Sequence, residues 1–294
     1  MPTKPVESIL YRELSLVDAK EVIAIASPLL QEVVNYGINL FARCASSRSG
    51  REEHFSLLLL YLHILEMADA VDILISQSCP SAAKLPLRSL FEALLSIEYL
   101  VERDYKQRSG AWLVHYMHQR LKVYDSWDPS TPRGKESQKL LTKDKFATDL
   151  PEFPELQAFR MNYQQRLADS EFVPIDQEYV RRRPRNWYQL FGGPSNLREL
   201  ACHLGRGGQY DFLYRWWSSF AHAQEPARFL ATTDSDTQVL RPLRDPSGIG
   251  LVTTYAVTYS HTATKELTKK LRPGEERHYV EWLKHEVLPL LQRL

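Results

Sequence analysis

The stretch Tyr210 to His222 reads Y-D-F-L-Y-R-W-W-S-S-F-A-H and holds the residue types best suited to chemistry in this sequence. On a regular helix each residue turns about 100°, so Asp211, Arg215, Ser218, Ser219 and His222 share one arc. Phe212, Leu213, Trp217 and Phe220 spread over the other faces. Such an apolar helix is expected to be buried, and buried polar groups are paired or used. An imidazole titrates near neutrality and suits acid–base work. A guanidinium stays charged and can grip a phosphate through two parallel hydrogen bonds. Two readings follow for Arg215 and His222. They are the chemical groups of a phosphate-handling site, or part of a polar network that only fixes helix packing, with His222 in the last turn before Pro226.

Arg88 and Glu92, in L-R-S-L-F-E, stand four residues apart inside an apolar stretch and share a helix face. They form either a self-contained ion pair or, with Asp211 and Ser218, a supporting shell for Arg215 and His222. A second cluster is Arg181-Arg182-Arg183-Pro184-Arg185, followed closely by Trp187 and Tyr188. These arginines could hold RNA phosphates while Trp187 stacks a base; the competing reading is a solvated loop paired with Asp176 and Glu178.

Other chemistries find less support. Glu275-x-x-His278 occurs without the second copy that a di-iron bundle requires, and we expect no metal. Phosphate-binding glycine loops and the serine nucleophile elbow are missing, so no cofactor is expected. The three cysteines, Cys44, Cys79 and Cys202, form no C-x-x-C pair, which fits a reducing cytoplasm. The N-terminal M-P-T-K-P-V-E-S has no apolar core and does not read as a signal peptide. The strongest apolar run, Leu57 to Leu62, is too short to span a bilayer. A net charge of +1 leaves any nucleic-acid contact to a local patch.

The pairing of L-R-x-x-x-E at Leu87 to Glu92 with Y-R-x-x-S-x-x-x-H at Tyr214 to His222 resembles an uncharacterised family of bacterial helical proteins. The likeness covers roughly residues 55–223 and implies no activity. Arg215 and His222, six residues between them, also look like the R-x(4–6)-H motif of HEPN-superfamily ribonucleases. That likeness implies cleavage of RNA without a metal, leaving 2′,3′-cyclic phosphate ends, at a site commonly shared across a homodimer. One departure is Trp216, where those enzymes often carry a small polar residue after the arginine.

Helical periodicity runs through most of the chain, and 44% hydrophobic content is ample for a core. We expect an all-α, HEPN-like helical bundle, a single domain over residues 1–294 whose core is 17–127 and 195–294. Residues 128–194 are expected to be a polar, loop-rich excursion, with Asp128 to Lys145 a surface loop. The apolar helices near 51–76 and 85–102 should pair as the heart of the domain and meet the Tyr210 helix, bringing Arg88 or Glu92 to Arg215, Ser218 or His222. The functional expectation is an endoribonuclease in bacterial defence or a toxin role, binding RNA and subject to a regulatory protein partner. The alternative is a non-catalytic helical sensor or scaffold.

Overall fold

The computed structural model describes residues 12–46, 53–144, 155–221, 229–232 and 238–294. About 81% of the described residues are helical, so the fold class is all-α. It divides into two compact units, Met1–Arg103 with Leu197–Leu294, and Asp104–Asn196.

Four long helices build the core of the first unit: α2 (Lys20–Ser46), which follows the short α1 (Arg12–Asp18), α3 (Phe55–Ser76), α4 (Pro80–Glu102) and, late in the chain, α12 (Ile249–Leu271). Each of the four packs on the other three, apart from α2 and α4. In α2 the buried Ala26, Leu29, Leu30, Val33, Gly37, Leu40 and Cys44 recur at three- and four-residue steps, the spacing of one apolar stripe. Pro28 lies inside this helix without ending it. Gly37 brings α2 against α3, because a Cβ there would stand 2.4 Å from Leu65 Cδ2.

Helix α3 buries Leu57, Tyr61, Ile64, Leu65, Ala68, Val71 and Ile75. A half-solvated α3 explains His63, Glu66 and Asp69, but Asp72 turns inward, accepting a hydrogen bond from Gln31 at 3.0 Å. Ser78 adopts φ 55° and turns the chain after α3, and Pro80 opens α4 at its first turn, where a missing N–H costs nothing. Tyr61 and Thr264 share a buried hydroxyl–hydroxyl bond of 2.9 Å between α3 and α12.

The remaining pieces of this unit lie around that core. They are α9 (Leu197–His203), α10 (Gly207–Gln209), a π turn at Tyr210–Tyr214, α11 (Arg215–Ala221) and the C-terminal helices. The C-terminal helical stretch is interrupted: α13 (Glu276–Trp282) and α14 (Leu288–Leu291) flank a π turn at Leu283–Val287. Pro289, without an N–H and with a ring that crowds the preceding turn, accounts for the break. Trp282 stacks on Tyr36 at 3.9 Å and donates to Glu32 at 2.7 Å, fastening this end to α2. Between α11 and α12 lies a small antiparallel pair, β1 (Leu230–Thr232) and β2 (Gln238–Leu240), with Ala231 opposite Val239.

The second unit corrects the loop-rich reading of residues 128–194. Besides α5 (Tyr105–Trp127) it holds α6 (Pro132–Leu141), α7 (Leu156–Leu167), α8 (Val173–Arg182) and a 3₁₀ turn at Trp187–Gly192. Of the two prolines in Asp128 to Lys145, Pro129 lies in a turn and Pro132 starts a helix. Thr131 caps α6 by accepting from Gly134 N at 2.9 Å with Pro132 at the first position. Pro174 likewise stands in the first turn of α8. Residues 145–154 lie outside the described chain.

Candidate functional site

Lys84, Arg88 and Glu92 follow one another at four-residue steps along α4 and therefore share a face. That face meets the segment running from the π turn into α11. Arg88 Nε donates to the Tyr214 hydroxyl at 3.0 Å, and the hydroxyl donates to Glu92 Oε1 at 2.6 Å. Arg88 and Glu92 also pair directly at 3.2 Å, which closes a triangle. The guanidinium carbon lies 5.0 Å from the Tyr214 ring centroid, within cation–π range. Tyr214 is buried, and burial, then the Glu92 carboxylate, push its phenol well above the usual range. It therefore remains a hydrogen-bond donor at every physiological pH.

The segment that carries Tyr214 departs from a regular helix. The Arg215 N–H bonds to Tyr210 O, five residues back, so one extra residue is fitted into the turn. Arg215 stays near enough to act on the Asp211 carboxyl, but no ion pair joins the two. Asp211 is instead held by Arg198 through two bonds of 3.0 and 2.8 Å. Those bonds keep its carboxyl below the usual carboxylate range, with Arg215 a smaller contributor. The Asp211 carboxylate is thus paired with α9.

Arg215 is exposed, and among the described residues no carboxylate forms an ion pair with it. Ser218 is half-buried on α11. Arg88 and Glu92 reach the Tyr210 helix as expected, but they meet Tyr214 rather than Arg215 or Ser218. His222 lies outside the described residues. Tyr214 is the member that the spacing of the polar residues does not single out. Its signal was available: a tyrosine on an otherwise apolar helix has a hydroxyl that needs a partner when buried.

A second polar contact ties α4 to the start of this segment. Arg206 grips Glu98 through two bonds of 2.6 and 2.5 Å and donates to Gln209 at 3.0 Å. One turn further along α4, Glu102 meets His203 at 3.0 Å. The segment is thus clamped on α4 at several levels.

The arginine cluster belongs to the second unit. Arg181 and Arg182 both bond Glu178 at the end of α8, and both are exposed. Their hydrogen bonds hold the Glu178 carboxyl below its usual range. Asp176 is not their partner; it bonds His118 at 2.5 Å. Arg183 takes φ 48° to end the helix, and the Arg185 N–H donates to Gln189 at 2.7 Å. Trp187 corrects the expected stacking role. Only 6% exposed, with Tyr188 edge-on at 5.9 Å, its ring is spent on the unit's own core.

Among the described residues no cluster of three His, Cys, Asp or Glu side chains is placed to hold a metal ion. Glu275 of the E-x-x-H triplet is engaged by Arg43 at 3.1 Å and by Arg272 at 2.5 Å. No described helix is long and apolar enough to cross a membrane.

No curated protein and no solved structure matches this chain. One family model does match, over residues 54–237, a span that contains both L-R-S-L-F-E and Y-R-W-W-S. The chain belongs to that family, DUF5677, a family of unknown function.

Proposed function

We propose that this chain is a metal-independent endoribonuclease of the HEPN type, acting as a homodimer in bacterial defence or as a toxin. Arg215 holds the scissile phosphate and His222 acts as acid and base. The observation that carries the reading is the state of Arg215: exposed, unpaired among the described residues, and one position after a tyrosine bonded to both Arg88 and Glu92. A guanidinium on a fixed turn meets phosphate with less ordering cost than one on a loop. In the reaction His222 takes the 2′-hydroxyl proton, the 2′ oxygen attacks the adjacent phosphorus, and the 5′ oxygen leaves with a proton. Arg88, Glu92 and Tyr214 serve as positioning residues. The arginines at 181, 182, 183 and 185 supply phosphate contacts, and a regulatory protein partner restrains the activity.

The closed Arg88–Tyr214–Glu92 triangle supports a second reading, a helical sensor or scaffold in which this network only fixes packing. Incubating the purified chain with total RNA, with and without EDTA, separates the two. The ribonuclease reading expects cleavage that EDTA leaves intact and that Arg215→Ala or His222→Ala reduces at least a hundredfold, with melting temperatures kept. A wild-type chain that cuts no RNA, as monomer or dimer, sinks it.

A further inference from the structure

The first unit contains a cleft of about 750 Å³ that the reading above does not use. This size lies within the range of small-molecule sites. Its walls are the first turns of α4 and α12, the rings of Trp216 and Phe220 on α11, and the chain around β1 and β2. The surface is apolar yet open: Trp216 is 40% exposed, and the lining Leu243 is 71% exposed. Apolar groups gathered and left wet in this way mark a place that something else covers.

Among the described residues the lining carries two cations. Lys84 Nζ sits 4.1 Å from the ring centroids of both Trp216 and Phe220, and Arg241 stands on the lining with it. Among the described residues the lining holds one carboxylate, Asp245, which is 3.7 Å from Arg241, accepts the Ser247 N–H at 2.9 Å and also feels the charge of Lys84.

Two helix ends also reach the cleft. Helices α4 and α12 are 23 residues each, and both point their N-terminal turns at the cleft. Neither has an acidic residue in its first turn or a side-chain cap; Asp245 stands just before α12 and offsets that end, so the start of α4 is the one whose positive end no residue of its own first turn offsets. In α4 the first intrahelical bond runs from Ala83 N to Cys79 O at 3.2 Å. The N–H groups of Ser81 and Ala82, both on the lining, precede it and remain available as donors.

We propose that this cleft binds a nucleotide, its base on the Trp216 ring and its phosphate between Lys84 and the first turn of α4. The ring selects a planar aromatic group, because any base can stack on an exposed indole. Several donors converging from an ammonium and backbone N–H groups suit the three oxygens of a phosphate better than two carboxylate oxygens. Lys84 leaves the rings to reach the anion, and the base takes its place over the indole. The same chemistry comes either as a free mononucleotide or as the phosphorylated end of an RNA. Neither source requires that the protein cut RNA, and the site uses neither Arg215 nor His222.

The test is calorimetric titration of the full chain with adenosine 5′-monophosphate, adenosine, inorganic phosphate and a 5′-phosphorylated oligoadenylate. The monophosphate is expected to bind at least tenfold tighter than adenosine or phosphate. Lys84→Gln is expected to weaken it at least tenfold, Lys84→Arg to restore most of it, and Trp216→Leu to remove the preference over phosphate. Should Lys84→Gln melt early, Arg241→Gln on the exposed lip replaces it, with a several-fold loss expected. Tighter binding of the oligoadenylate assigns the site to an RNA end; equal or weaker binding assigns it to free nucleotide. A monophosphate held no better than phosphate overturns the proposal, as does binding indifferent to both Lys84→Gln and Arg241→Gln.

Discussion

The Tyr214 hydroxyl donates to Glu92 Oε1 over 2.6 Å, although 122 positions separate the two residues in the chain. Arg88 donates to the same hydroxyl, so one phenol oxygen is donor and acceptor between two opposite charges. This contact sets where α11 begins on α4, and with it the position of Arg215.

Replacing Tyr214 with Phe keeps the ring and removes only the oxygen. Arg88 and Glu92 are part-exposed and retain each other, so the loss is moderate, about 1–2 kcal/mol. A melting temperature lower by roughly 2–6 °C is expected. An unchanged melt would show that the triangle does not hold α11.

The Arg206–Glu98 pair is more buried, with side chains 17% and 18% exposed. Arg206→Met leaves a carboxylate without its cation and is expected to cost about 2–4 kcal/mol, while the double change Arg206→Met with Glu98→Leu costs less than either single one. Denaturant melts of the three variants check the order. A double variant less stable than both singles contradicts it.

Gly37→Ala improves helix propensity by about 1 kcal/mol but drives a methyl into Leu65. Leu65 is buried, and Tyr61, 2.9 Å from the added carbon, is bonded to Thr264. Neither neighbour can retreat freely. Net destabilisation of about 1–3 kcal/mol is expected, read as a lower denaturation midpoint at unchanged slope.

His115 on α5 gives the second unit a pH dependence. Desolvation, then Lys122 and His118, depress its imidazole to about 4, and its Nδ1 is buried without a partner. The unfolded chain, with a histidine near 6.5, binds the proton first as pH falls. Stability is therefore full above about pH 6.5 and drains away toward pH 4. Compared with wild type, His115→Phe should gain relative stability between pH 7 and pH 5, on the order of 1–2 kcal/mol. A difference that stays flat across that range would refute the assignment.

Trp187→Ala follows from burial rather than from RNA binding. Loss of this buried indole is expected to cost about 3–5 kcal/mol, visible in a melt without any RNA. Weaker RNA binding at unchanged stability would return Trp187 to the stacking role.

The helical class and the pairing of α3 with α4 were legible in the sequence, because apolar residues at three- and four-residue steps leave little choice of period or partner. Arg88 and Glu92 were legible as one face of one helix for the same reason. Local readings faltered where a residue has two uses. A proline breaks a helix from inside yet can begin one from the first turn, as Pro132 and Pro174 do, and for α6 the Thr131 cap marks that start. Trp187 can stack a base or fill a core, and its surroundings in the second unit decided for the core.

What tertiary structure alone decided is the register of the Tyr210 segment. A π turn fits one residue more than a regular wheel allows, and it persists where packing outweighs regular geometry. That extra residue aims Tyr214 at Arg88 and Glu92, while Asp211 goes to Arg198. The convergence of two uncapped helix starts on one cleft was equally hidden, since α4 and α12 begin 169 residues apart. Periodicity describes each helix alone; which ends meet is settled by how the four core helices pack.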